Sequence, residues 1–189
     1  MATPTASKIM SEQKLYSYNN LFPKVHESVF LALGVKIIGD VEIAEQSSIW
    51  FNSVARGDIH YIKIGSYSNI QDCCVLHVTN DKYSLNIGNW VTVGHSVNLH
   101  GCTVNDHCLI GMGAILLDGS IVEEQAMVAA GSVVKQGFIV PSGKLVAGVP
   151  AKIIRDLTKD EIQEMRKSAE SYIEYAKIMA ESLNRTNYF

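Results

Sequence analysis

Every sixth residue from Val104 to Val146 is aliphatic: Val104, Ile110, Leu116, Val122, Val128, Val134, Val140 and Val146. The same step runs through Ile64, Ile70 and Leu76, through Ile87, Val93 and Leu99, and through Ile37, Ile43, Ile49 and Ala55. Four places after the aliphatic residue the side chain is small, as at Ser47, Ser53, Ser68, Cys74, Cys108, Ala114, Ser120, Ala126 and Ser132. Glycine often follows it directly, at Gly65, Gly88, Gly94 and Gly111. One large and one small inward residue per hexad suit a short strand ending at a tight corner, where glycine and asparagine tolerate positive φ at little cost. No such rung buries its apolar face alone, so stacked rungs must share one aliphatic column. Eight consecutive hits argue against a doubly wound α/β domain spaced this way by chance.

The step breaks in three places. Ala55 to Ile64 spans nine positions and contains Arg56, Gly57 and Asp58; Leu76 to Ile87 spans eleven, with extra residues around Thr79, Asn80, Asp81, Lys82, Tyr83 and Ser84; Leu99 to Val104 spans five. The irregularity is confined to the region between Ala55 and Val104, and loops on a rigid scaffold are where sites collect. Past Ile153, Ile154 and Arg155 the pattern changes. Thr158 and Glu161 form a capping box, followed by a helical stripe of Ile162, Met165, Ala169, Tyr172, Ile173, Ala176, Met179 and Leu183. The spacing divides the chain into a flexible segment over 1–19, a repeat domain over 20–156, and a helix over 157–189 that packs on the rungs or a neighbouring subunit.

A formal charge of −3 offers no basic stripe for nucleic acid. No apolar run approaches the roughly 20 residues of a membrane span, and the first residues lack the apolar core of a signal peptide. Cys73, Cys74, Cys102 and Cys108 show no C-x-x-C spacing, and the adjacent pair suits disulfides poorly. Cytoplasmic location is the expectation.

Chemistry concentrates on histidine. His77 directly follows Leu76 and His100 directly follows Leu99, both third members of their hexad runs. That register puts the two on equivalent positions of adjacent rungs, about 4.8 Å apart at the backbone. Imidazoles stacked so can share one metal with bonds of about 2.0–2.1 Å. His95, just after Gly94, sits on the preceding face and completes a candidate set. His26, His60 and His107 have no such company and read as surface histidines. Cys74, Cys102 and Cys108 read as small packing residues.

Arg56-Gly57-Asp58, then Asn69-Ile70-Gln71-Asp72 with His77, then Gly94-His95 and His100-Gly101-Cys102, then Ile110-Gly111-Met112-Gly113-Ala114 resemble the short γ-class carbonic anhydrase-like family. The resemblance covers residues from about 20 to 175. It implies an all-β left-handed parallel β-helix of hexapeptide repeats with a C-terminal α-helix, assembled as a homotrimer with metal sites at subunit interfaces. His77 and His100 would come from one subunit and His95 from the next, around Zn2+, with Fe2+ or Co2+ also suited to imidazole. The implied reaction is reversible hydration of carbon dioxide to bicarbonate by a metal-bound hydroxide. Gln71 and Asn69 match residues that orient hydroxide and substrate. Arg56, Asp58 and Asp72 match inter-subunit ion pairs and product contacts, and Tyr172 matches a helix tyrosine that reaches the site.

Long members of that family carry proton-shuttling glutamates after the Arg-x-Asp element and on the following loop. Here Ile59 follows Asp58, and the 79–84 loop holds only Asp81. Proton export would then fall to buffer, Tyr172 or Glu174. Two other readings compete. One is a CoA-dependent acyltransferase or thioesterase-like enzyme, suggested by the closing segment Gly148-Val149-Pro150-Ala151-Lys152. The other is a non-catalytic trimer subunit stapled by metal.

Overall fold

The computed structural model describes residues 13–186. Short parallel strands wind into a left-handed β-helix of about seven turns, followed by one helix, α1 (Lys159–Thr186). The coil has three faces. The first carries Leu15–Tyr16, the front of Lys36–Ile43, the front of Val54–Ile64, Val75–His77, Asn98–His100, Ile115–Leu116 and Val133–Val134. The second carries Lys24–Val25, the backs of the two long strands, Leu85–Ile87, Thr103–Val104, Ile121–Val122 and Ile139–Val140. The third carries Phe30–Leu31, Ser48–Ile49, Asn69–Ile70, Thr92–Val93, Leu109–Ile110, Met127–Val128 and Lys144–Gly148.

The register aligns the hexads into columns. Ala55, Leu76, Leu99, Leu116 and Val134 follow one another on the first face, and each is at most 1% exposed. The small inward positions are buried too, and three serines use the corner to satisfy backbone. Ser47, Ser53 and Ser68 each donate to a carbonyl one rung on, at Gly65, Gln71 and Gly88, all at 2.7 Å. This explains why serine recurs there: the hydroxyl caps a carbonyl that the turn leaves without a ladder partner.

Three features depart from the sequence expectation. Strand Leu15–Tyr16 pairs with Ile37 and Ile38, within the segment set apart as flexible; the earlier part of that segment lies outside the described residues. A two-residue strand with no hexad neighbour leaves no periodic trace. The break between Ala55 and Ile64 is one continuous strand, Val54–Ile64, with a bulge. Gly39 and Val41 pair with Gly57 and Ile62, so the longer strand carries three extra residues between those partners. Finally, the corner joining the second and third faces holds positive φ without glycine, at Gln46, Tyr67, Trp90, His107 and Gln125. Tyr67 and Trp90 offset part of that cost by stacking at 4.3 Å and 11°.

Past Lys144–Gly148 the chain turns back as Ala151–Asp156, which pairs antiparallel and closes the end of the coil. The capping box then starts α1: Thr158 N–H donates to Glu161 at 2.9 Å, and Glu161 N–H donates to Thr158 Oγ1 at 3.2 Å. The helix lies on the third face, with Met165, Ala169 and Ala176 buried. Trp50 sits edge-on between Phe30 and Tyr172, 5.4 Å from each ring.

Arg155 grips Glu161 with two bonds of 2.7 Å. This grip, with the Thr158 N–H, lowers the carboxyl from an ordinary 4.5 to about 2. A depressed folded pKa stabilises the fold above the unfolded value and loses that contribution as pH falls from 4.5 towards 2. Glu161→Gln should therefore flatten the acid limb of helix stability in that window, read by circular dichroism. An unchanged acid limb would show that Glu161 does not anchor the helix start.

Candidate metal centre

The long strand Val54–Ile64 places Ala55 opposite Leu76, so Arg56, His77 and His100 form an outward column at the end of the first face. His77 and His100 are direct ladder partners, and their rings stand 5.0 Å apart. His77 Nδ1 and His100 Nε2 face each other at 3.0 Å. Each ring meets a carboxylate at its other nitrogen: His77 Nε2 lies 3.0 Å from Asp58 Oδ1, and His100 Nδ1 lies 2.7 Å from Asp118 Oδ1. A carboxylate accepts, so each imidazole directs its N–H there and turns a lone pair inward. With a lone pair inward on each ring, the 3.0 Å gap is bridged either by a proton or by a metal cation. Two nitrogens bound tetrahedrally to one ion at about 2.0–2.1 Å are about 3.3 Å apart, so the pair fits a metal to within a few tenths of an ångström.

Asp58 reaches His77 because the bulge lifts it off the strand. Burial pushes the Asp58 carboxyl up, but hydrogen bonds from His77 and Arg56 outweigh it and hold the acid below its usual value. Burial, with the charge of Arg56 and the nearness of His100, holds the His77 imidazole below its ordinary value despite Asp58. Neutral imidazole is the form that binds metal. The thiols of Cys74, Cys102 and Cys108 are pushed up by burial to about 12, so none is a thiolate at neutral pH. Exposed Cys73 holds a corner at φ 60°.

His95 lies elsewhere. It occupies the corner between the third and first faces, at the opposite edge from His100. Its Nδ1 lies 2.7 Å from Asp72 Oδ2, while Asp72 Oδ1 accepts the N–H of Phe51 at 3.1 Å. Among the described residues, no three of His, Cys, Asp and Glu in one chain converge on a common point. Gln71 and Asn69 keep company with His95 rather than with His77. Both face outward on the third face, yet α1 buries them to 6% and 1% exposure. Gln71 Nε2 donates to Asn69 Oδ1 at 3.2 Å, and Asn69 Nδ2 donates to Thr92 Oγ1 at 3.0 Å. Gln71 and His95 line a groove of about 360 Å³ with Met112, Met127 and Ser168. Tyr172 comes close enough to Asp72 to feel its charge; burial, then that charge, raises its phenol. The sequence-derived residues thus form two half-sites on opposite edges of one face. Asp118 joins the first, and no sequence feature pointed to it.

No protein-family model matches the chain. A protein named carbonic anhydrase from Geobacillus kaustophilus is 49% identical over 160 residues, covering 85% of this chain and 87% of its own length. The mitochondrial γ carbonic anhydrase 2 of Arabidopsis thaliana is 48% identical over 163 residues, 84% of this chain, which spans 59% of that longer protein. The chain belongs to the γ-class carbonic anhydrase-like family. A solved hexapeptide transferase family protein from Anaplasma phagocytophilum superposes with a TM-score of 0.83 at 43% identity, covering 87% of this chain and 96% of that one. Carbonic anhydrases of the γ class imply a metal cofactor in general, and the facing imidazoles are where this member could hold one. No helix among the described residues is long and apolar enough to cross a membrane.

Proposed function

We propose that this chain is a metal-dependent carbonic anhydrase that interconverts carbon dioxide and bicarbonate, working as a homotrimer in the cytoplasm. The observation that carries the reading is the facing pair His77 and His100, each held by its own carboxylate with a lone pair turned inward. His95, oriented the same way by Asp72, is the third ligand, supplied by the neighbouring subunit. Zn2+ is the proposed occupant; Fe2+ and Co2+ suit the same donors. When bound, such a metal lowers the pKa of a coordinated water to about 7 and so provides a nucleophile at neutral pH.

The chain's own residues do the rest. Asn69 takes one amide proton of Gln71 and fixes its orientation, so the Gln71 carbonyl can accept from a hydroxyl in the groove. Arg56, 45% exposed beside Asp58, offers a guanidinium to an anionic product. Tyr172, a phenol that burial raises further, keeps its proton at neutral pH and serves as a hydrogen-bond donor rather than a base. That leaves proton export to buffer or to exposed Glu174.

Stopped-flow carbon dioxide hydration on metal-quantified protein tests the reading. Wild type should hold about one transition metal per chain, and His100→Ala should lose both metal and hydration. Full metal content in His100→Ala would overturn the ligand set. Metal without hydration at several buffer concentrations would favour the stapled trimer, and turnover with acetyl-CoA would favour the transferase reading, which the Anaplasma relative's name keeps in play.

A further inference from the structure

We infer that Asp118 is the positioning residue for His100, and that the 79–84 loop locks it in place through Thr79. The inference rests on reading His77 and His100 as metal ligands.

The rung after His100 runs Leu116, Leu117, Asp118, Gly119 into its corner, whereas the His100 rung runs Leu99, His100, Gly101. One residue is missing below, at the place that Asp118 would stack on. Both Gly101 and Gly119 hold positive φ, and the Gly119 N–H donates to the Gly101 carbonyl at 2.7 Å, so the two corners are in register. Asp118, without a counterpart beneath it, leans into the gap. A Cβ on Gly101 would stand 2.4 Å from Asp118 Oδ1, so the carboxylate lies where that side chain would be. From there Oδ1 meets His100 Nδ1 at 2.7 Å.

The second carboxylate oxygen is also engaged. Asp118 Oδ2 accepts the hydroxyl of Thr79 at 2.9 Å. Thr79 opens the loop inserted after His77, and the loop closes on it: Thr79 N–H donates to the Tyr83 carbonyl at 2.9 Å, and Tyr83 N–H returns to the Thr79 carbonyl at 3.2 Å. Tyr83 then lies across both corner glycines, where a Cβ on Gly119 would meet its ring at 2.8 Å. With both oxygens held, Asp118 has one orientation. That orientation fixes the tautomer and tilt of His100 and points its Nε2 at His77. The longest insertion in the coil and its one-residue deletion therefore act on the same histidine.

Carboxylates that orient ligand histidines are worth roughly 10–100-fold in metal affinity. Zinc dissociation constants should be measured by chelator competition on the full chain, alongside the melting midpoint of metal-stripped protein. Asp118→Ala should weaken zinc within that range, and Asp118→Asn less. Thr79→Val should weaken it in the same direction, while Thr79→Ser, which keeps the hydroxyl, restores wild-type affinity. Asp106→Asn is the control: Asp106 holds a different corner, through the Asn89 N–H at 2.8 Å, and should leave zinc unchanged. The metal-stripped midpoint should stay at the wild-type value throughout. Unchanged zinc affinity in Asp118→Ala, or equal affinity for the two Thr79 variants, would overturn the inference. So would a stripped midpoint that falls along with affinity, which would mark a purely structural corner. Wild-type protein that takes up no zinc would remove the metal reading and this inference together; wild-type uptake with indifferent Asp118 and Thr79 variants would remove the inference alone.

Discussion

Trimers mixed from His77→Ala and His95→Ala chains are expected to regain a single metal site per ring, although each pure variant has none. The expectation follows from where the half-sites lie. His95 stands at the corner entering the first face and His100 at the corner leaving it, five residues later. The path between them covers at most about 16 Å, and among the described residues of one chain the two do not converge with His77 on a common point. A closed ring brings the leaving edge of one chain to the entering edge of the next and completes every site identically. In a mixed ring, one interface joins a chain with intact His77 and His100 to a chain with intact His95. Dual-tagged, co-expressed trimers separate the mixed species, and metal analysis reads the result. If all three ligands came from one chain, no mixture could rebuild a site, so absent metal in the mixed rings would decide against the shared centre.

The second large effect is on folding. Val128 is 0% exposed and sits in register between Ile110 and Val146 in the aliphatic column. Val128→Asp places an unpaired carboxylate in the column and should cost at least about 4 kcal/mol. For a domain of this size, each kcal/mol moves the melting midpoint by about 2–4 °C, so a drop of about 8 °C or more is expected in a thermal scan. An unmoved midpoint would contradict the inward assignment of that column.

Much of this was legible in the residues because hexad spacing is a direct image of rung stacking. Reading His77 and His100 as equivalent positions needed only the count from Leu76 and Leu99, and the ladder pairs them. What the count could not give is contact made across rungs at corners. Asp118 reaches His100 over a place where the repeat is one residue short, and a deletion leaves no motif. Asn69 and Gln71 stood close to His77 in sequence, yet a corner separates them from it, and α1 buries them on the neighbouring face. Strand Leu15–Tyr16 escaped notice because one rung edge has no period. The break after Ala55 read as a loop, but the residues stay extended, and their excess over the partner strand is what carries Asp58 outward.

The ladder pairing of His77 with His100 also determines which changes in chain length the centre can survive. The spacing of the two residues is inherited from backbone hydrogen bonding between rungs, and their carboxylate partners then orient the rings within it. Along a strand, successive residues point to opposite faces. A single residue added between Leu76 and His77, or between Leu99 and His100, would turn the imidazole into the aliphatic interior or, if the imidazole kept its place, push the leucine out. The same residue added within 80–82 would leave that ladder in register, since the coil resumes at Leu85, and would reach His100 only through the Thr79–Tyr83 closure. Insertions in the strand thus destroy the backbone register of the centre, whereas insertions in the loop leave that register intact.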